Sequence, residues 1–142
     1  MISSSLEETL EKVGFICVET KGTSMQPLFV SGRDKVCIES VKTKPKNKDI
    51  LLYKRSDGTY ILHRVKKVNK NSYTMWGDNH VYLEYGVTSE QVFGIAVGYY
   101  KGEKYIDLKK SFKYSLYKFF WCNSLFVRKV IFKLKRIFKK QK

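Results

Sequence analysis

Asp49-Ile50-Leu51-Leu52-Tyr53-Lys54-Arg55-Ser56-Asp57-Gly58-Thr59-Tyr60-Ile61-Leu62-His63-Arg64-Val65 holds two short apolar runs separated by Asp57-Gly58. An Asp-Gly pair between two such runs is a strong hairpin signal, because glycine accepts the positive φ that a tight strand reversal needs. Upstream, Lys35-Val36-Cys37-Ile38-Glu39 alternates, and the turn-rich Lys44-Pro45-Lys46-Asn47 separates it from the hairpin. Downstream, Asn69-Lys70-Asn71-Ser72 turns the chain into Tyr73-Thr74-Met75-Trp76, which Gly77-Asp78-Asn79 breaks. Gln91 to Tyr99 is apolar enough for a buried strand, and Lys101-Gly102 turns it into Tyr105-Ile106. Short strands with close turns and no strand–helix–strand alternation predict a mostly β, antiparallel domain.

Both ends depart from this pattern. Ser5-Leu6-Glu7-Glu8 matches a capping box, Leu6, Leu10 and Val13 share a helical face, and Gly14 is a stop. A short N-terminal helix followed by a strand from Phe15 to Thr20 is expected. Met1 to Glu11 carries Glu7, Glu8 and Glu11 without an early basic cluster, which fits neither a secretory signal nor a transit peptide.

The net charge of +15 is unevenly placed. Residues 109–142 hold twelve Lys or Arg and no acid, leaving the first 108 residues at +3. The division is therefore expected at 1–108, a β-rich body, and 109–142, a basic amphipathic helical tail. In the tail Leu116, Phe119, Phe120, Val127, Val130 and Leu134 recur at three- and four-residue spacing between lysines and arginines. Its longest uncharged run, Phe119 to Val127, is nine residues, far short of the ~20 that a spanning helix needs. Such a helix suits an anionic membrane surface, placing the protein peripherally on a membrane, at its cytoplasmic face. Charge alone would also admit nucleic acid, but no recognised nucleic-acid motif accompanies it. Cys17, Cys37 and Cys122 show no metal spacing and read as buried free thiols of a reducing compartment.

The chemistry-bearing residues lie in turns and on one strand. Gly22-Thr23-Ser24-Met25-Gln26-Pro27-Leu28 presents a serine in a proline-stiffened turn, with Met25 and Leu28 expected to pack beneath it. A serine hydroxyl becomes a useful nucleophile only when a neighbouring base takes its proton. The chain has two histidines, His63 on a strand and His80, which reads as an exposed loop residue with an alternative base as the lesser reading. Strand alternation also puts Lys67 on the same face as His63, although His63, with an ordinary pKa near neutrality, is the better base.

Ser24-Met25-Gln26-Pro27-Leu28, Gly32-Arg33-Asp34-Lys35-Val36, Lys48-Asp49-Ile50-Leu51, His63-Arg64-Val65 and Gly77-Asp78-Asn79 stand in an order that resembles the signal peptidase and LexA-type superfamily of serine peptidases. The resemblance spans residues 14 to 107. It implies a coiled antiparallel β-sheet domain and a signal-peptidase-like serine endopeptidase that cleaves leader or signal segments of a polypeptide substrate. It also implies Ser24 as nucleophile, His63 as base, as in the archaeal and endoplasmic-reticulum branch, and Asp78 as the histidine's support. Glu84 stands where a second acid often follows. Many members carry a hydroxyl two residues before the serine; Gly22 stands here, leaving oxyanion stabilisation to the Ser24 N–H with help from Thr23. The resemblance implies neither metal nor cofactor. The rivals are a LexA-like regulator, weakened by the 23 residues before Ser24 and the lack of an Ala-Gly or Cys-Gly cleavage pair, and a non-catalytic membrane- or protein-binding module.

Overall fold

The computed structural model describes residues 5–141; Met1–Ser4, where the N-terminal segment starts, and Lys142 lie outside the described residues. The expected hairpin forms between β3 (Ile50–Lys54) and β4 (Tyr60–Val68), in antiparallel register with Leu51 opposite His63 and Tyr53 opposite Ile61. Gly58 takes φ 89°, and the Asp57 carboxylate accepts from the Thr59 N–H at 2.9 Å, which locks the reversal.

The other strands are β1 (Phe15–Glu19), β2 (Asp34–Ser40), β5 (Tyr73–Trp76), β6 (Glu84–Val87), β7 (Val92–Lys101) and β8 (Lys104–Asp107). They pair antiparallel in the order β1-β2-β7-β3-β4-β5-β6, with β8 also on β7. The mostly antiparallel β class expected from the sequence is therefore observed.

Successive strand residues point to opposite faces, and both faces of the central strands are covered. One core gathers Leu10, Phe29, Val36, Ile38, Ile50 and Leu52; the other gathers Leu51, Tyr53, Val65, Tyr73, Met75 and Val87. Each fully buried leucine such as Leu51 contributes about 1.5–3 kcal/mol by leaving water.

Helix α1 (Leu6–Val13) is capped as expected: Ser5 Oγ accepts from the Glu8 N–H, and Gly14 closes it at φ 80° with its N–H on the Leu10 carbonyl. Leu10 is buried, whereas Val13 is exposed, so the buried stripe is narrower than the periodicity suggested.

Three features differ from expectation. Cys17 and Cys37 face each other across β1 and β2, Cα atoms 4.1 Å apart, and form a disulfide; only Cys122 is a buried free thiol among the described residues. Directly opposed residues of antiparallel strands approach this closely, and the pairing depends on register, which single strands do not reveal. A bond that persists in oxidising surroundings removes the basis for placing the chain in a reducing compartment. The tail is two helices, α2 (Phe112–Trp121) and α3 (Leu125–Lys140). Ser124 starts α3 by accepting from the Val127 N–H. Finally, a β-bulge between Val65 and Lys67 breaks the alternation on β4 and leaves Lys67 exposed.

Candidate functional site

Ser24 lies half-buried in the loop after β1, above Met25 and Leu28, which are buried as expected. Its carbonyl accepts from the Asn79 N–H at 2.9 Å, stitching the serine loop to the turn after β5. Gly77 is required at this seam: a Cβ there would lie 2.6 Å from both the Ser24 carbonyl oxygen and His80 Nδ1. Trp76 pairs with Arg64, so Gly77 follows the register towards His63. Ser24 and His63 thus approach one turn from distant parts of the chain. No hydrogen bond joins the Ser24 hydroxyl to the His63 ring among the described residues.

His63 is 4% exposed. Its Nδ1 lies 3.4 Å from the Tyr53 hydroxyl, which in turn donates to Glu84 Oε1 at 2.5 Å. A phenol has one hydrogen, and Tyr53 gives it to the carboxylate. The remaining partnership requires His63 Nδ1–H to donate to the phenol oxygen. The neutral imidazole then carries its free lone pair on Nε2, the atom a general base uses. Arg55 grips Glu84 with two hydrogen bonds of 2.8 and 3.0 Å. Burial would raise the Glu84 carboxyl pKa, but the Arg55 and Tyr53 hydrogen bonds outweigh it and hold the group below its ordinary range. Burial first, and then the neighbouring His80, lower the His63 pKa to about 4. The ring is therefore neutral and proton-accepting at neutral pH.

Asp78, expected to support His63, occupies the other side of β4. Arg64 follows His63 on the strand and points to the opposite face. It binds Asp78 bidentately, both bonds 2.7 Å, with both side chains fully buried. Tyr117 donates to the same carboxylate at 2.8 Å, and Trp121 Nε1 donates to the Asp78 carbonyl at 2.7 Å. Burial would lower the Arg64 pKa, but Asp78 outweighs it and raises it well above the ordinary value. The acid thus engages a structural cation, and the described hydrogen bond of the imidazole runs through Tyr53 to Glu84.

His80, expected from the sequence as an exposed loop residue, is instead half-buried, because it packs edge-on against His63, ring centroids 5.4 Å apart. Its Nε2 lies 3.2 Å from the Tyr82 hydroxyl, while Nδ1 is buried without a partner.

Beside Ser24 opens a mostly apolar cavity of about 410 Å³, bordered by Val18, Met25, Phe29, Leu52 and Leu62. Two strand edges meet it. β1 pairs with β2 on one side alone, and β5 covers β4 only from Arg64 onward, so Tyr60–His63 has an unpaired edge. Tyr53, Arg55 and Arg128 were missed in the sequence. For Tyr53 a signal existed: the hairpin register puts it diagonal to His63 on the same face. Comparison with protein-family models, curated proteins and solved structures yields no match to this chain.

Proposed function

We propose that this chain is a serine endopeptidase of the signal-peptidase-like type, acting on an extended polypeptide segment with Ser24 as nucleophile and His63 as base. The observation that carries the reading is the seam at Gly77, which fastens the Ser24 loop to the turn whose His80 ring packs on His63, a buried neutral imidazole with its Nδ1 already engaged. The order of the sequence boxes supports it, as does the antiparallel sheet, for which we propose the finer signal-peptidase/LexA-like coiled form.

On this reading the substrate adds as a strand along the open edges of β1 and the first half of β4, with main-chain hydrogen bonds giving affinity. An apolar side chain fills the cavity beside Ser24 and sets the register of the scissile bond. Ser24 Oγ attacks the peptide carbonyl while its proton passes to His63 Nε2. The imidazolium is stabilised through Nδ1–H by Tyr53, whose phenol stays bonded to Glu84. Negative charge on the tetrahedral oxygen is met by the Ser24 N–H, with the exposed Thr23 hydroxyl as a second donor. His63 then protonates the leaving amine, the C–N bond breaks, and an acyl-serine remains. Water, deprotonated by the same ring, releases the new carboxylate and restores Ser24.

The absence of a hydrogen bond between Ser24 and His63 favours, as a second reading, a module that holds a peptide along these edges without cutting it. A cleavage assay on fluorogenic peptides with varied apolar residues before the cut separates the two. Turnover by the unaltered chain that disappears in both Ser24→Ala and His63→Ala supports the peptidase. Equal turnover in all three would overturn the dyad, and peptide binding without turnover in any would establish the module.

A further inference from the structure

The tail packs on the body through an inner face that its periodicity did not reveal. A basic amphipathic helix ordinarily turns its apolar stripe inward and leaves its charges in water. Here the inward face is aromatic and polar. Helix α2 contributes Tyr114, Tyr117 and Trp121, which bond Arg64 and Asp78. Helix α3 contributes Arg128, fully buried and 3.4 Å above the Trp76 ring centroid. Arg128 Nη1 donates to the carbonyls of Gly77 and His80 at 2.9 and 3.0 Å. The apolar residues face outward instead: Phe112 and Phe120 on α2, and Phe126, Leu134 and Phe138 on α3, are all exposed, Phe126 by 75%. Around them the tail carries twelve cations and no anion.

We propose that α2–α3 is a two-sided clamp: its outer face lies on an anionic lipid surface, and its inner face holds the Gly77–His80 turn, so that lipid occupancy tightens the candidate site. Charge complementarity selects the occupant. A second copy of this chain would set two strongly cationic faces against each other, whereas an anionic bilayer takes both the phenyl groups and the lysines. No described helix is long and apolar enough to cross a membrane, so the contact is interfacial.

Coupling follows from linkage. In isolation the 10-residue α2 would be marginal in water and the 16-residue α3 little beyond that limit. A surface that receives their apolar faces stabilises the helical form, and that form places Tyr117, Trp121 and Arg128 on the turn. A ligand favouring one state stabilises every contact made in that state. The Asn79 amide, bonded to the Ser24 carbonyl, reports on the turn without any need for catalysis. The proposal therefore stands or falls independently of the peptidase reading.

The test uses the full chain with vesicles of phosphatidylcholine alone or mixed with phosphatidylglycerol. Co-flotation should be at least about tenfold stronger with the anionic lipid and weaken at high salt. The triple variant Phe126→Gln, Leu134→Gln, Phe138→Gln keeps every charge and the helix propensity; it should lose binding by about tenfold or more. Amide exchange across residues 77–80 should slow by about tenfold when anionic vesicles are added. Equal binding to both lipids, unchanged binding by the triple variant, or exchange at 77–80 unaffected by bound vesicles would overturn the proposal. So would light scattering showing that the outer face closes a dimer that ignores lipid.

Discussion

His63 and Arg64 are neighbours on one strand and have opposite fates. Arg64 meets a nearly saturated environment: a bidentate carboxylate, a backbone carbonyl and a phenol, which together engage four of its five N–H groups. His63 meets an unsaturated one, with a single described hydrogen bond to Tyr53 and no described partner at Nε2. A buried group held by so many partners is committed to structure; one kept neutral with a lone pair to spare is available for chemistry. A one-residue step along β4 thus separates the clasp that holds the turn from the candidate base that acts beside it.

Altering each side and reading stability and turnover separately tests this division. On the proposed reading, Ser24→Ala should lower kcat/KM by about 10⁴-fold or more, equivalent to about 5 kcal/mol, because the nucleophile itself is removed. Its urea midpoint should stay close to that of the unaltered chain, since the Ser24 hydroxyl has no described hydrogen-bond partner. A Ser24→Ala protein that unfolds readily would mean that the hydroxyl belongs to the scaffold.

The clasp should answer in the other direction. Asp78→Ala leaves the Arg64 guanidinium buried without its counter-charge, and a loss of about 3–5 kcal/mol in chemical denaturation is expected. Asp78→Asn keeps shape and part of the hydrogen bonding and should fall between. If Asp78→Asn retains most of its stability yet loses turnover as completely as His63→Ala, the carboxylate acts on the imidazole and the division between the two faces fails.

Acid sharpens the contrast further. His63 has an ordinary pKa of 6.5 and a folded-state value of about 4, with burial the main cause. Between these values the unfolded chain binds the proton and the folded one does not, so stability rises with pH across the window. The contribution is fully present above 6.5 and is lost as pH falls through 4, by about 3 kcal/mol in total. His80 is shifted the same way by burial and by Arg128. Denaturation midpoints measured from pH 7 down to the onset of carboxylate protonation should show this slope, and His63→Gln should flatten most of it. The acid limb of kcat/KM should accordingly lie well below the range of an exposed histidine.

Much of the scaffold was legible because local rules sufficed. Ser5, Glu8 and Gly14 specify α1 by capping, and Asp57-Gly58 specifies the β3–β4 hairpin. The edge strand β6 escaped notice: Glu84-Tyr85-Gly86-Val87 shows no alternation, and Gly86 at φ 78° interrupts it. What pattern reading could not supply was register and facing. Register brings Cys17 to Cys37, and facing sends Asp78 to Arg64. The bulge after Val65 removes Lys67 from the histidine's face. The tail's amphipathicity was readable, but not its grip on the body, because Arg128 is one cation among twelve until Trp76 and two carbonyls surround it.

The smallest expected effect tests the relay that distinguishes the His63 side. Tyr53→Phe removes one oxygen from a fully buried ring and leaves Glu84 with both Arg55 hydrogen bonds. Imidazole Nδ1–H then loses its acceptor, and the tautomer that frees Nε2 is no longer favoured. On the proposed reading kcat should drop by about 10- to 100-fold, or about 1.4–2.7 kcal/mol, with KM little changed because Tyr53 does not border the substrate cavity. Glu84→Gln should produce a loss of similar or smaller size, since the phenol can still donate to the amide oxygen. Nitrogen-15 shifts of His63 supply a readout that a packing defect would not move: Nδ1 should be the protonated nitrogen in the unaltered chain, and the two tautomers should mix in Tyr53→Phe. A chain in which Nε2 already carries the proton before Tyr53 is touched would place the hydrogen on the wrong nitrogen for attack by Ser24, and His63 would join Arg64 as a structural group.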